Sequence, residues 1–418
     1  MHYVKLYFEK PLYRNSIALI LNTGMAYVLN FLFWMIAGHT VSAGSIGLAT
    51  ATISAAAMLV TMSRFGLDAS LVRYIPRSRD KSGFYNATIL IILLLSLIVA
   101  IVFLAGLNLF SPALDFLRKQ VFLIEFIGYI LLTAVCNMQG TALVAVRKAD
   151  LSLLQSSVLA VRIPLLWAFA SLGVLGIFVS MNLAYLAMMI VGIILLYKLN
   201  VSSKPDLNFK DVRESFGFSF GNYTAALFLA APITLMPIII VNAVGARDGA
   251  YFYIAYSIAT FLFMVPDAIA MSLFVEGSHK QPLKANTVRS IKFTLLIISP
   301  GILFILLFGD KLLALFGLQY AAEAFLILQL LAVSSLFYAI IDIYTAVKKV
   351  QRDMVMVNYL SFAVSALTIG LGFLLLLMLG LNGIGYAWII SNLTVCAIAV
   401  WLMLFREKWA VRPLVDTP

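Results

Sequence analysis

Long apolar stretches alternate with short polar connections along the whole chain, at about 15–38, 45–66, 83–108, 121–146, 152–175, 178–198, 215–243, 250–274, 289–308, 322–346, 354–379 and 383–405. A helix that crosses the hydrocarbon of a bilayer needs about 20 consecutive apolar residues. Each stretch therefore predicts one spanning α-helix, twelve in all. Together they consume most of the 418 residues and leave no loop able to fold independently. The predicted class is an all-α polytopic membrane protein. The first stretch follows Arg14 and continues to about Gly38 without an A-x-A cleavage pattern, which predicts an uncleaved span rather than a signal peptide.

The polar positions add an orientation. Of the 29 Lys and Arg, 24 collect at every second boundary between stretches. Four fall at the opposite boundaries (Arg118, Lys119, Arg247 and Lys311), and Arg162 alone lies deep inside a stretch. Lys and Arg are retained on the cytoplasmic side during insertion, so the split predicts both termini inside, in the cytoplasmic membrane. The most polar connection, NVSSKPDLNFKDVRES at Asn200–Ser215, separates six spans from six. It predicts an N-terminal bundle over 1–199, a linker over 200–213 and a C-terminal bundle over 214–418.

The two halves carry similar segments. AVRK at Ala145–Lys148 recurs as AVKK at Ala346–Lys349, and LGIFVSMNLAYL from Leu175 resembles LNGIGYAWIISNL from Leu381 at an offset near 207. Equal span counts with both halves starting inside predict a parallel internal repeat, two six-helix bundles with a cavity between them.

Composition narrows the chemistry. The chain is 63% hydrophobic and 11% charged, with a mean hydropathy of +1.03. A soluble domain carries roughly a quarter charged residues. The net charge of +11 sits in short loops beside hydrocarbon, where it serves topology and contact with anionic membrane lipids rather than nucleic acid. Cys136 and Cys396 lie in apolar stretches without ligand spacing, and His2, His39 and His279 are scattered, so neither a disulfide nor a metal site is expected. HExxH, G-x-S-x-G and P-loop patterns are absent, which argues against an enzyme, a cofactor or nucleotide hydrolysis.

GSIGLATATISAAAMLVTMSRFGLDASLVRYIPR (Gly44–Arg77), with its Gly66-to-Tyr74 exit, resembles the second span of polysaccharide flippases in the multidrug/oligosaccharidyl-lipid/polysaccharide exporter superfamily. GAYFYIAYSIATFLFMVPDAIAMSLF (Gly249–Phe274) and LGLNGIGYAW (Leu379–Trp388) resemble their second half and last span. The resemblance implies two six-helix bundles that translocate a lipid-linked oligosaccharide, with glycosyltransferases or a polymerase of the same pathway as partners. The acid these proteins often carry midway along span 7 is missing from APITLMPIII (Ala231–Ile240), so no ion site is expected there.

The candidate site residues follow from polarity inside spans. Arg162 is costly in hydrocarbon and must face the bundle interior, water or a partner. Gln155, seven residues earlier, shares its helical face, and Pro164 predicts a kink beside the charge. A guanidinium suits a diphosphate through bidentate bonds; the alternative is a structural ion pair. Arg64 and Asp68 are spaced to pair on one helix face, and with Arg73 they form either a basic substrate mouth or a headgroup-contact surface. Asn30, Asn222 and Tyr223 offer hydrogen bonds to sugars or to neighbouring helices, as does Asn22. Asp267 and Asp342 are acids that either carry a coupling ion or neutralise an arginine. Prolines 232, 237, 266 and 300 are candidate bend points.

The leading expectation is a flippase moving a polyprenyl-diphosphate oligosaccharide to the outer leaflet for surface polysaccharide synthesis. An ion-coupled multidrug exporter of the same superfamily and a membrane glycan polymerase or ligase are the rivals; the short outer loops speak against the last. The topology is directly testable in intact cells. Cysteines placed at Lys119 and Lys311 should react with a membrane-impermeant maleimide, and cysteines at Lys81 and Lys210 only after permeabilisation. The reverse pattern would invert the assignment.

Overall fold

Hydrocarbon offers backbone groups no hydrogen-bond partner, and helices satisfy them within one segment. The computed structural model describes the backbone of residues 11–277, 283–407 and 409, and their side chains except those of 11–17, 20, 214–222 and 275–277. Among these residues there is no strand, and 12 helical segments are long and apolar enough to cross a membrane. The protein is a multi-pass membrane protein.

The helices of eight residues or more are α1 (Pro11–Thr40), α2 (Ala43–Arg64), α3 (Leu67–Tyr74), α4 (Lys81–Ala105), α5 (Gln120–Ala145), α6 (Ala149–Ser157), α7 (Arg162–Phe169), α8 (Val174–Lys198), α9 (Phe209–Ala243), α10 (Ala246–Gly277), α11 (Leu283–Ala314), α12 (Leu318–Val350), α13 (Met354–Leu379) and α14 (Leu381–Phe405). Most span boundaries fall within a few residues of those predicted. The largest difference is span 9, expected at 289–308 and observed over Leu283–Ala314. Its extra turns carry Lys284 at one end and Lys311 at the other, whose long stems let a helix continue past the apolar core.

Span 5 is not one helix. A 3-10 turn at Val158–Val161 joins α6 to α7, and another at Ala170–Leu172 ends it. Pro164 explains the first break: lacking an N–H, it gives the carbonyl of Ala160 no helical donor. Prolines 232, 237, 266 and 300, by contrast, lie inside continuous helices.

The chain forms two compact units, Met1–Tyr223 and Thr224–Pro418, so the boundary falls inside α9. In the first unit α1 packs on α6 and α7, α5 packs on α4 and α8, and α2 on α4 and α5. The linker is tied to this unit. Asn86 donates to the carbonyls of Lys204 (2.7 Å) and Asp206 (3.2 Å), and the Asn208 N–H donates to the Gly83 carbonyl (3.0 Å). In the second unit α12 is central, packing on α10, α11 and α14, with α13 against α14.

Local geometry supports duplication. α5 and α12 end in the same reverse turn: Lys148 N–H reaches the Leu143 carbonyl and Asp353 N–H the Lys348 carbonyl, both at 2.9 Å. The left-handed residues are Arg147 (φ 61) and Arg352 (φ 60), 205 positions apart. An arginine accepts this costly conformation at a helix C-terminus, where its charge faces the negative end of the dipole. Likewise Gly173 (φ 60) precedes α8 and Gly380 (φ 62) precedes α14. One turn on, side chains at Gly176 and Gly383 would overlap the carbonyl oxygens of Phe169 and Leu375. Both hairpins are so tight that only glycine fits at the crossing.

Close approach also governs the interior of the first unit. A Cβ on Gly192 would collide with Gln139 and lie 2.5 Å from Gln155 Nε2, whereas Gly370 has nothing within 4 Å. Gly192→Ala should therefore lower stability by about 1–3 kcal/mol, and Gly370→Ala should not. Thermal midpoints of the two purified variants in detergent check this.

Candidate functional site

Arg162 opens α7 directly after the 3-10 turn, thirteen residues into the Ala149–Leu172 span. That places it about 20 Å along the helix axis, near mid-membrane. It is only 7% exposed, and its Nε is buried without a hydrogen-bond partner. Among the described residues no carboxylate pairs with it. Its guanidinium instead lies over the Phe33 ring, 4.9 Å from the centroid. Phe33 meets Trp34 edge to face at 5.1 Å, and the Trp34 indole N–H donates to Asn30 Oδ1 at 3.1 Å. Tyr185 of α8 lies close enough to feel the charge of Arg162 and meets the Tyr129 ring edge to face at 5.5 Å. Thus Asn30, predicted as a separate polar group on span 1, belongs to the surroundings of Arg162.

Gln155 faces elsewhere. Its Nε2 donates to Gln139 Oε1 at 2.8 Å, and Gln139 donates to the Met189 carbonyl at 3.1 Å, joining α6, α5 and α8. Seven residues of regular α-helix return a side chain to within about 20° of its starting face. Four 3-10 residues, at about 120° each, add roughly 80° of rotation. The shared face expected for Gln155 and Arg162 is lost for that reason.

Arg64 ends α2, where Phe65 (φ 43) and Gly66 (φ 76) turn the chain into α3. It donates to Thr61 Oγ1 (3.2 Å) and lies 3.6 Å from Asp68, so the expected pair forms across a helix break rather than along one helix. Tyr223 completes this cluster. Its hydroxyl donates to the Met62 carbonyl at 2.8 Å, a group the break deprives of its helical donor, and its ring stacks on Phe65 at 5.2 Å. Arg73, in the last turn of α3, is exposed and lies 5.7 Å over the Tyr74 ring. The side chain of Asn222 lies outside the described residues.

In the second unit the structure brings Asp267 and Asp342 together. They lie within hydrogen-bonding reach of one another and feel the charge of Lys349. The Tyr338 hydroxyl donates to Asp267 Oδ1 at 2.8 Å, and among the described residues no donor hydrogen-bonds Asp342 Oδ2. Two carboxylates this close repel unless a proton, a cation or an ammonium offsets one charge. Tyr338 was readable in the sequence: four residues before Asp342, it shares that helical face. Lys348 is a buried cation that is fully paired, with Glu407 at 2.6 Å, and Glu407 also accepts from Tyr344 (2.9 Å) and Gln351 (2.8 Å).

Among the described residues the arrangement offers a buried cation without a carboxylate partner in one unit and an acid pair in the other, and no nucleophile–base constellation. Among the described residues no group of three or more His, Cys, Asp or Glu could hold a metal. The family model described as polysaccharide biosynthesis protein matches residues 12–274, more than half of the chain.

The chain belongs to the polysaccharide biosynthesis protein family.

No curated relative matches this family member. Solved structures do. The inward-closed lipid II flippase MurJ superposes with a TM-score of 0.76 at 12% identity, covering 93% of this chain and 86% of that one. An inward-facing multidrug resistance MATE family transporter gives 0.71 at 16% identity, covering 94% and 98%. A MOP superfamily transporter from Pyrococcus furiosus, described as having a binding pocket of reversed polarity, gives 0.66 at 17%, covering 95% of each. At these identities the likeness is one of fold: the polysaccharide biosynthesis protein has the transporter architecture of MATE proteins and MurJ.

The Gln139–Gln155 pair separates packing from binding. Gln155→Leu leaves a buried amide unsatisfied and should cost about 1–3 kcal/mol. Gln139→Leu combined with Gln155→Leu should recover most of that loss in a detergent thermal melt. Transport by the double variant should recover with it if Gln155 only joins helices.

Proposed function

We propose that the protein flips a polyprenyl-diphosphate-linked oligosaccharide from the cytoplasmic to the outer leaflet of the cell membrane, supplying surface polysaccharide synthesis. The observation that carries this reading is Arg162: a mid-span guanidinium held without a carboxylate among the described residues. Keeping such a charge in the membrane costs several kcal/mol, so it persists where something offsets the cost. A diphosphate does so through charge-assisted, bidentate bonds, which an uncharged or cationic drug cannot make. The family supports a glycan substrate, and the likeness to a lipid II flippase supports a lipid-linked one.

In this reading the headgroup enters from the cytoplasmic side past Arg73 and Arg64, engages Arg162, and leaves outward after the protein changes conformation, while the prenyl tail stays in lipid. Asn30, Asn222 and Tyr223 are the candidate sugar contacts. Glycosyltransferases upstream and a polymerase downstream are the partner enzymes. Net movement is powered through the Asp267–Asp342 pair, which exchanges a proton or monovalent cation as it opens and closes. That pair is also the observation favouring the second reading, an ion-coupled exporter of small cationic molecules.

Two variants separate these readings. Arg162→Ala should cut surface polysaccharide at least tenfold while the protein still inserts, and Arg162→Lys should be intermediate, since it keeps the charge but loses the planar fork. Normal polysaccharide in Arg162→Ala cells removes the diphosphate contact. Asp342→Asn should abolish the dependence of transport on an imposed proton or sodium gradient. Drug efflux lost in Asp342→Asn with polysaccharide unaffected would favour the exporter.

A further inference from the structure

Among the described residues two cations are buried, and they are held in different ways. Lys348 (8% exposed) lies 5.2 Å over the Tyr344 ring and is also neutralised by Glu407, whose side chain is 1% exposed. Arg162 is equally buried and lies over a ring at similar distance, but no acid neutralises it among the described residues. A carboxylate would hold the guanidinium and cancel its charge. An aromatic face attracts a cation through its quadrupole and leaves the full charge in place.

Phe33 has no solvent exposure and is itself fixed. Trp34, also fully buried, meets it at an interplanar angle of 88°, and the Trp34 N–H is anchored on Asn30 one turn earlier. Asn30, Phe33, Trp34 and Ala37 follow the i, i+3, i+4, i+7 spacing of one helical face, and α1 packs on α6 and α7. The two aromatic residues are too deeply buried to touch a substrate in this conformation. Their position suits holding the arginine instead.

We infer that Phe33 is a positioning residue for Arg162, holding the guanidinium over its ring so that the charge stays free for a diphosphate headgroup, with Trp34 and Asn30 fixing the ring. This rests on the reading of Arg162 given above. The test measures binding of polyprenyl diphosphate, and of uncharged polyprenol as control, to the full-length protein in nanodiscs. Phe33→Leu removes the ring face at similar volume. It should weaken polyprenyl diphosphate binding by severalfold to about thirtyfold and leave polyprenol binding unchanged. Equal diphosphate binding by Phe33→Leu and the parent, with Arg162→Ala defective, overturns the positioning role alone. Loss of both ligands in Phe33→Leu also overturns it, since a packing defect does not discriminate charge. Undiminished diphosphate binding by Arg162→Ala overturns the underlying reading. Should Phe33→Leu fail to insert, Phe33→Met, flexible and ringless, carries the same comparison.

Discussion

Within the hydrocarbon every polar group needs a partner supplied by the protein itself, and this single constraint organises the molecule. Among the described residues the backbone meets it through twelve helical segments long and apolar enough to span. Side chains meet it by bridging helices: Ser96 donates to Ser63 at 2.8 Å, Asn392 to Ser334 at 3.1 Å, and Asn182 to the Glu125 carboxylate. Some buried polar atoms of the described residues stay open even so, among them Asn182 Oδ1, Asn392 Oδ1 and Gln155 Oε1. Arg162 Nε and Asp342 Oδ2 stand out among them because they belong to charged side chains well inside spans, where an unmet polar group costs most.

The two units solve the same packing problem and then diverge chemically. Their equivalent turns at Arg147 and Arg352, and their equivalent glycine hairpins at Gly173 and Gly380, keep backbone geometry that tolerates little change. The cation sits in the first unit and the acid pair in the second. Duplication supplied two scaffolds, and each retained a different charge. In the proposed function the first unit holds the anionic headgroup and the second exchanges a charge, and separate units would let each be tuned without disturbing the other's packing.

The break in span 5 links fold to chemistry. Pro164 withdraws one backbone donor, the preceding turn tightens to 3-10 geometry, and the change of rotation sends Arg162 to α1 while Gln155 stays with α5 and α8. A regular helix would have aligned the two. An amide that joins three helices and a guanidinium left open thus arise seven residues apart in one span.

Much of this was legible in the sequence. Span number, the internal repeat and the isolation of Arg162 all follow from local patterns, because apolar length and charge placement act through the bilayer and not through tertiary contacts. The Gln139–Gln155 pair was readable too, since the two residues lie equally far on either side of Arg147, the residue that turns the chain between α5 and α6. Other features needed the fold. That Phe33, rather than an acid, lies under Arg162, that Tyr223 caps a free carbonyl at the end of α2, and that Asp267 and Asp342 adjoin depend on which faces of distant helices meet. Periodicity gives each helix a buried face, but the rotation and register between helices are set by packing of whole surfaces, and no single segment encodes that.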